Sequence, residues 1–255
     1  MAKGSLSLVG IGISDEKGIS LAGLEELKAC SRLFAEDYTN IMPQGTLSRL
    51  EALCSKKITL LSREAVEGEK ELLEAAKNET VALIVAGDPM IATTHVSLLL
   101  AAKKLGIETE VIHASSILSA AIGESGLQAY KFGKIVTLAY WRDNYKPMAA
   151  YEVISENLSR GLHTLLLLDI DEKLGPMKPS TAAEVLLSME KQGSKDILLP
   201  STKLVLLKGI GWREPTKKYC ALSELSAYDA KEGPAVLVVP SMNLHFVELE
   251  ALQAL

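Results

Sequence analysis

Short apolar segments alternate with longer amphipathic ones along most of this chain, and this alternation restricts the possible fold more than any other feature. In the first half, predicted strands and helices follow one another in turn, with strands at residues 5–9, 33–35, 58–61, 81–85 and 110–113 and helices at 21–30, 47–54, 67–77 and 94–105. Strands that are apolar on both faces and separated by helices are typical of a parallel sheet covered by helices on both sides. The sequence therefore predicts an α/β fold.

The alternation stops between residues 115 and 133, where three glycines interrupt the pattern. It then resumes, with strands at residues 135–139, 164–169, 203–207 and 235–239 and helices at 149–160, 181–191 and 244–252. A chain of 255 residues is long enough for two domains. We therefore place a boundary after Ala114 and predict two α/β domains, residues 1–114 and 115–255. Because residues 212–221 resemble one arm of a hairpin, antiparallel pairs are also expected in the second domain.

Charge and hydropathy exclude several classes of partner. The chain has 27 lysine and arginine residues against 32 aspartate and glutamate residues, and no basic block, so a nucleic-acid partner is not expected. No apolar run approaches the ~18 residues that span a bilayer, and the first residues lack the apolar core of a signal peptide. Three scattered cysteines indicate free thiols in a reducing compartment. These features predict a cytoplasmic protein that does not associate with membranes.

A glycine-containing turn follows the first predicted strand. Gly10 and Gly12 would allow the backbone to approach a ligand closely, but Asp15 stands where a dinucleotide-binding fingerprint needs its third glycine. A tight turn between strand and helix is an equally good interpretation of these two glycines.

Asp88 follows the apolar strand at residues 81–85. It lies in the segment GDPMIATTH, residues 87–95, where a helix capped by Thr93 or Thr94 is expected to begin. Because ligands bind beyond the carboxyl ends of strands in open α/β sheets, Asp88 could bind a ligand. The alternative is an Asp-Pro turn whose carboxylate caps local amides.

Other polar groups near strand ends carry weaker signals. Ser115 and Ser116 could bind a ligand or cap a helix, and His95 could act as a base, although capping or packing is favoured. The other candidate histidines, His163 and His245, are expected to be structural. The spacing of histidines and cysteines does not suit a zinc site, and neither a GxxxxGK[ST] loop nor a GxSxG elbow is present. A reaction that depends on positioning rather than on a metal fits this inventory.

Taken together, the motifs resemble those of the diphthine synthases, which belong to the tetrapyrrole methylase-like superfamily. The similar segments extend from Ser5 to about His245 and include LVGIGI at 8–13, FAEDYT at 34–39, GDPMIATTH at 87–95, VIHASSI at 111–117 and GLQAYKFG at 126–133. The glycine turn is shared by the whole superfamily, whereas GDPMIATTH and GLQAYKFG are specific to the diphthine branch.

The resemblance implies two α/β domains of the tetrapyrrole methylase type with S-adenosyl-L-methionine bound in the cleft between them. The family's cofactor contacts fall on Ile13, Asp88, Ile91, Ser116, Ile117, Leu168, Ile210 and Ala235. Relatives often carry a histidine after two prolines at the last of these positions. The segment Glu232-Gly233-Pro234-Ala235 departs from that pattern, so only a backbone contact is expected there.

The resemblance also implies the reaction: repeated methylation of the amino group on a modified histidine of translation elongation factor 2, with S-adenosyl-L-homocysteine as the product. It implies a homodimer but assigns no catalytic residue and no metal. Residues 130–133 and 141–145 combine aromatic and basic groups and are predicted to recognise the acceptor protein. For residues 141–145, a solvated loop with one packed aromatic side chain is an equally good interpretation. Two alternatives are methylation of a tetrapyrrole precursor and a cofactor-binding module without activity.

Overall fold

The computed structural model describes residues 4–38 and 41–255. It divides into two compact units, the first ending at Ile117 and the second running from Leu118 to Leu255. The predicted boundary after Ala114 lies in the segment just before this division.

The first unit contains a five-stranded sheet. Its elements are β1 (Ser5–Gly10), α1 (Leu21–Ala29), β2 (Arg32–Glu36), α2 (Thr46–Cys54), β3 (Ile58–Leu61), α3 (Arg63–Glu67), α4 (Lys70–Ala76), β4 (Thr80–Val85), α5 (Val96–Lys104) and β5 (Glu108–Ile112). The strand order is β3-β2-β4-β1-β5, and every pairing in this sheet is parallel. The predicted parallel α/β arrangement is confirmed.

Both faces of this sheet are buried. Along β4, Val81 and Leu83 belong to one apolar cluster, while Ala82 and Ile84 belong to a second cluster on the opposite face. Side chains alternate between the faces of a strand, so a strand with helices on both sides is apolar at every position. This explains the uninterrupted apolar run in the sequence.

The helix predicted at residues 67–77 is α4 in the structure, and a separate short helix, α3, precedes it. Helix α3 ends at Glu67 and α4 begins at Lys70, and the intervening Glu69 has a φ of +61°, in the left-handed region. The left-handed backbone at Glu69 keeps the two helical segments apart, so the predicted helix begins at Lys70 and not at residue 67.

The second unit contains a five-stranded mixed sheet and a two-stranded ribbon. Its elements are α6 (Ile117–Glu124, which starts at the division), β6 (Val136–Leu138), α7 (Ala149–Ser159), β7 (Thr164–Leu168), β8 (Ile170–Asp171), β9 (Gly175–Pro176), α8 (Pro179–Gly193), β10 (Lys203–Lys208), β11 (Thr216–Ala221), β12 (Ala235–Val239) and α9 (Phe246–Ala254). The larger sheet has the order β11-β10-β12-β7-β6. Only β6 and β7 pair in parallel within it; the other pairs are antiparallel, as residues 212–221 indicated.

Helix α6 occupies part of the stretch where the sequence pattern is interrupted. Gly123 lies in its last turn, where an added Cβ would meet open space, and Gly126 follows with a φ of +71°. These glycines therefore mark the end of a helix rather than the absence of one. None of the described helices is long and apolar enough to cross a lipid bilayer.

Candidate active site

Three loops meet at the carboxyl end of the first sheet, where β4 and β5 flank β1. The Gly12 amide donates to the Gly87 carbonyl at 3.2 Å, and the Gly87 amide donates to the Gly12 carbonyl at 2.8 Å. The Ile13 amide donates to Ser115 Oγ at 3.3 Å. Residues 10–13, 87–95 and 113–117 therefore form one connected surface, which we call the first rim.

The two glycines after β1 are required by the packing of these loops. A Cβ on Gly10 would lie 2.7 Å from the Gly87 carbonyl oxygen and 2.8 Å from Pro89 Cδ. Gly12 has a φ of +75°, and a Cβ there would lie 2.6 Å from Ser115 Oγ. The close backbone approach expected from the sequence therefore occurs between the protein's own loops.

The Asp88 carboxylate joins two of the three loops. It is 7% exposed; Oδ1 accepts the Met90 amide at 2.9 Å, and Oδ2 accepts His113 Nδ1 at 2.8 Å and the Ala114 amide at 3.2 Å. Burial by itself would raise the pKa of this carboxyl group, but the hydrogen bonds from Met90, His113 and Ala114 together hold its pKa below the usual value. Asp88 is therefore ionised at neutral pH and caps amides, as the turn interpretation predicted.

His113 is the exposed partner of this carboxylate. Its side chain is 68% exposed, whereas that of Asp88 is 7% exposed. Because an ionised carboxylate only accepts hydrogen bonds, Nδ1 of His113 carries the proton. Nε2 of the neutral ring is then a proton acceptor. Sequence reasoning did not single out this histidine, since its partner lies 25 residues away in the chain.

His95, by contrast, stabilises its own loop. It is 2% exposed, and its Nδ1 contacts the Pro89 carbonyl at 2.8 Å, so the packing role is confirmed. The expected threonine cap is wrong: α5 begins at Val96, and Thr93 Oγ1 instead donates to the Pro89 carbonyl at 2.7 Å. Ala92 has a φ of +57°, which turns the chain back so that both side chains reach Pro89.

The predicted contact residues of the first unit all lie on the first rim. Ile13, Ser116 and Ile117 are half-buried, and Ile91 is 38% exposed. Asp88 is the most buried of this group. The first rim thus places aliphatic side chains and serine hydroxyls around the Asp88–His113 pair.

The predicted contact residues of the second unit share one edge of its mixed sheet. Leu168 ends β7, Ala235 begins β12 and Ile210 follows β10. The register pairs Ala235 with Lys208 and Val236 with Leu167, so the three positions lie at the same edge. Their exposed fractions are 8% for Leu168 and 6% each for Ile210 and Ala235, so most of each side chain packs inside the unit.

The segment before Ala235, which departs from the family pattern, has a backbone that requires glycine at position 233. Gly233 has a φ of +89°, and a Cβ there would lie 2.6 Å from the Cα of Gly209. Proline fixes φ near −65°, so a proline at 233 could not adopt this backbone. The Gly209 amide donates to the Pro234 carbonyl at 2.8 Å, which ties this segment to the end of β10.

The motif GLQAYKFG is joined to helix α9 by a buried ionic cluster, which consists of Lys131, His163 and Glu248. Glu248 is fully buried; its carboxylate accepts Lys131 Nζ at 2.6 Å and His163 Nε2 at 2.9 Å. The Ser241 amide donates to His163 Nδ1 at 2.8 Å, so both nitrogens of that ring are occupied. His163 is therefore structural, as the sequence indicated.

Lys131 therefore has an internal role, whereas its neighbour Tyr130 is 99% exposed. His245 is also structural, since it precedes α9 and accepts the Val247 amide on Nδ1 at 3.3 Å. The other predicted recognition segment remains accessible: Arg142 is 61% exposed and pairs with Asp171.

The chain is similar to known proteins along nearly its whole length. A family model described as tetrapyrrole (corrin/porphyrin) methylases matches residues 5–218. The chain belongs to this family. It is 41% identical to the diphthine synthase of Methanocaldococcus jannaschii over 254 residues, covering 98% of both chains. It is 39% identical to the diphthine synthase of Methanosarcina acetivorans over 252 residues, covering 97% of this chain and 94% of the relative.

Solved structures agree. A crystal structure of a diphthine synthase superimposes with a TM-score of 0.87 at 33% identity, covering 98% of this chain and 94% of the other. The predicted family, the tetrapyrrole methylase fold and the activity of a methyltransferase in diphthamide biosynthesis are therefore confirmed. The alternative of a tetrapyrrole acceptor has less support, because these relatives are diphthine synthases.

Proposed function

We propose that this methyltransferase transfers methyl groups repeatedly from S-adenosyl-L-methionine to the amino group of the modified histidine of translation elongation factor 2. The observation that carries the proposal is the similarity to diphthine synthases along nearly the whole chain, the first rim included. Because that acceptor belongs to the translation machinery, we further propose that the enzyme acts in the cytoplasm.

The chemistry of the first rim suits the adenosine part of such a cofactor. Ile13 and Ile91 offer partly exposed aliphatic surface for a flat base, and Ser116 offers a hydroxyl for the polar edge of the molecule. The ionised Asp88 carboxylate gives the first rim a negative charge, which would suit a ligand that carries a positively charged sulfonium. We propose contacts at Ile13, Asp88, Ile91, Ser116 and Ile117.

In the second unit we propose contacts at Leu168, Ile210 and Ala235. All three side chains are largely buried, so the groups available to a ligand at this edge are mainly backbone amides and carbonyls. At Ala235 the side chain carries no polar atom, so a contact there uses the backbone.

The reaction depends chiefly on positioning. The nitrogen of the acceptor uses its lone pair to form a bond to the methyl carbon, and the cofactor supplies that carbon and an uncharged sulfur leaving group. An α-amino group has a pKa of about 7.7–8.0, so part of it is neutral at pH 7. Holding the amine in line with the bond that breaks supplies most of the rate advantage.

A transfer assay with isotopically labelled S-adenosyl-L-methionine tests the proposal. Elongation factor 2 bearing the aminocarboxypropyl histidine should become labelled, and mass spectrometry should count the added methyl groups. A tetrapyrrole precursor offered in parallel should remain unlabelled. Labelling of the tetrapyrrole alone, or of neither acceptor, would overturn the assignment.

Calorimetry with S-adenosyl-L-methionine tests the place of Asp88. Asp88→Ala should weaken binding by about 1.5–3 kcal/mol, the scale of a hydrogen bond to a charged group. Asp15→Ala is a suitable control, because Asp15 lies near the first rim but its carboxylate accepts a hydrogen bond within its own turn, from the Lys17 amide. Equal affinities for Asp88→Ala and the wild type would remove Asp88 from the binding site.

The acceptor protein is proposed to dock on the second unit. Tyr130 and Arg142 are exposed, and both residue types are common at recognition surfaces. Tyr130→Ala or Arg142→Glu should lower transfer to elongation factor 2 while cofactor affinity stays within about twofold. Transfer at the wild-type rate by both variants would exclude this surface.

We also propose a homodimer. Sedimentation at micromolar concentration should then give about twice the chain mass of 27.5 kDa. A monomer would contradict the dimer but leave the reaction unaffected.

A further inference from the structure

The Asp88–His113 pair has the arrangement of a proton acceptor that is oriented by a carboxylate. Asp88 is fixed by the backbone amides of Met90 and Ala114 as well as by His113, so the carboxylate cannot turn away. It holds Nδ1 of the imidazole at 2.8 Å and thereby sets the tautomer in which Nε2 is basic. The ring itself is 68% exposed, so another molecule can reach it.

The described histidines differ sharply in this respect. His95 and His163 are buried and engaged within the fold, and His245 caps a helix in the second unit. Only His113 combines a carboxylate partner, an accessible ring and a place on the first rim, three residues before the proposed contact Ser116.

We propose that His113 is a catalytic residue that removes the proton from the acceptor amine between successive methyl transfers, with Asp88 as its positioning residue. This inference rests on the proposed function. After each transfer that leaves an N–H bond, the acceptor nitrogen has a new bond to carbon, and it is a positively charged ammonium. Nε2 uses its lone pair to bind one ammonium proton, and the electrons of that N–H bond stay on nitrogen.

The amine is then neutral and can accept the next methyl group. The imidazolium formed on His113 is stabilised by the negative charge of Asp88 through the Nδ1 hydrogen bond, and it returns its proton to water. Asp88 is the charged group that contacts the ring, so it accounts for both the orientation and the stabilisation.

Variants at position 113 test the proposal. His113→Asn keeps a donor toward Asp88 but has no basic nitrogen. At pH 7 it should slow the second and later transfers at least tenfold, so that the monomethyl product accumulates in mass spectra. Raising the pH to 9, where a larger fraction of the amine is neutral without assistance, should restore part of the lost rate. Added imidazole should likewise restore transfer by His113→Ala.

Two controls separate a catalytic role from a structural one. Affinity for S-adenosyl-L-methionine, measured by calorimetry, should stay within twofold in His113→Asn. His245→Asn, which keeps a capping side chain before α9, should transfer at the wild-type rate. In the wild-type protein without cofactor, diethylpyrocarbonate should modify His113 much faster than His163, as peptide mapping can show.

Wild-type rates and products from His113→Asn at pH 7 would overturn the proposal, and so would a loss of rate that neither higher pH nor imidazole restores. Slow modification of His113 would show that the ring is inaccessible and would also overturn it. If the wild-type enzyme labels no elongation factor 2, the proposed function fails and this inference fails with it. If the wild type labels the factor and His113→Asn does so equally well, only this inference fails.

Discussion

Each unit of this protein contains a carboxylate paired with a histidine, and the two pairs have nearly the same geometry. Asp88 accepts a ring nitrogen of His113 at 2.8 Å, and Glu248 accepts one of His163 at 2.9 Å. Both carboxylates also accept two backbone amides and join segments that are distant in the chain. The pairs differ in exposure: His113 is 68% exposed, whereas His163 is fully buried.

Under the proposal for His113, the exposure of the histidine, and not the hydrogen bond to the carboxylate, distinguishes the proposed catalytic pair from the structural one. His163 uses both ring nitrogens within the fold, and its burial lowers the pKa of the imidazole, although the bond to Glu248 opposes this effect. It therefore has no free nitrogen for chemistry. The exposed ring of His113 lies on the first rim, with the proposed cofactor contacts of the first unit.

The largest effect is expected from Lys131→Glu, which places a second carboxylate against the buried Glu248. Breaking a buried pair in this way costs about 3–5 kcal/mol of unfolding free energy. Chemical denaturation measures it, with Lys134→Glu as the control, because Lys134 is exposed and should change stability by less than about 0.5 kcal/mol. Equal stability of the two variants would contradict the structural role of Lys131.

The next largest effect is a loss of stability at low pH, which involves the Glu248 carboxylate. Burial by itself would raise the pKa of Glu248, but hydrogen bonds from Lys131, Gln128, His245 and His163 lower it to about 2. A lowered acid pKa contributes stability above the unfolded value of about 4.3, and this contribution is lost as pH falls through the folded value. Between pH 5 and pH 2 the wild type should lose about 3 kcal/mol more than Glu248→Gln.

Urea unfolding at a series of pH values measures this difference. Parallel loss of stability in the two proteins over this range would show that Glu248 gains no stability from its ionised form. Asp88→Asn provides the matching measurement in the first unit, because the pKa of Asp88 is also lowered and the same direction of change is expected.

The same substitution made at each of the two histidines sharpens the comparison further. His163→Asn cannot satisfy both Glu248 and the Ser241 amide, so it should lower stability by about 1–3 kcal/mol. His113→Asn, at an exposed ring, should change stability by less than about 0.5 kcal/mol. Thermal unfolding of both variants is the measurement. The comparison breaks down if His113→Asn is the less stable of the two.

The smallest effect is expected at Tyr130, next to the structural Lys131. Because Tyr130 is 99% exposed, Tyr130→Ala should change the unfolding free energy by less than about 0.5 kcal/mol. Denaturation under the conditions used for Lys131→Glu provides the measurement. A large loss would mean that the tyrosine packs against the protein, and it would withdraw Tyr130 from the proposed docking surface.

The sequence predicted the fold well where a single period runs along an element. The apolar runs of β1 and β4 and the hairpin arm that became β11 are examples. It failed where one backbone angle decides the outcome, as at Glu69, whose positive φ separates α3 from α4 and delays the start of the predicted helix to Lys70.

The site was predictable only in part. The position of Asp88 after a buried strand was evident, but its partner His113 was not, because the pair forms only when β4 and β5 flank β1. Likewise, a lysine such as Lys131 is normally expected at the surface, and its pairing with Glu248 joins positions 117 residues apart. Sequence patterns report local periods, whereas these contacts depend on tertiary packing.

The hydrogen bond from Ile13 to Ser115 spans 102 residues, and this separation has a consequence during protein synthesis. When the ribosome has made β1 and its glycine turn, neither Gly87 nor Ser115 yet exists. At roughly 5–20 residues per second, many seconds pass before β5 emerges. Until then the glycine turn has no partners, and a chain cut short before β5 cannot assemble the first rim at all.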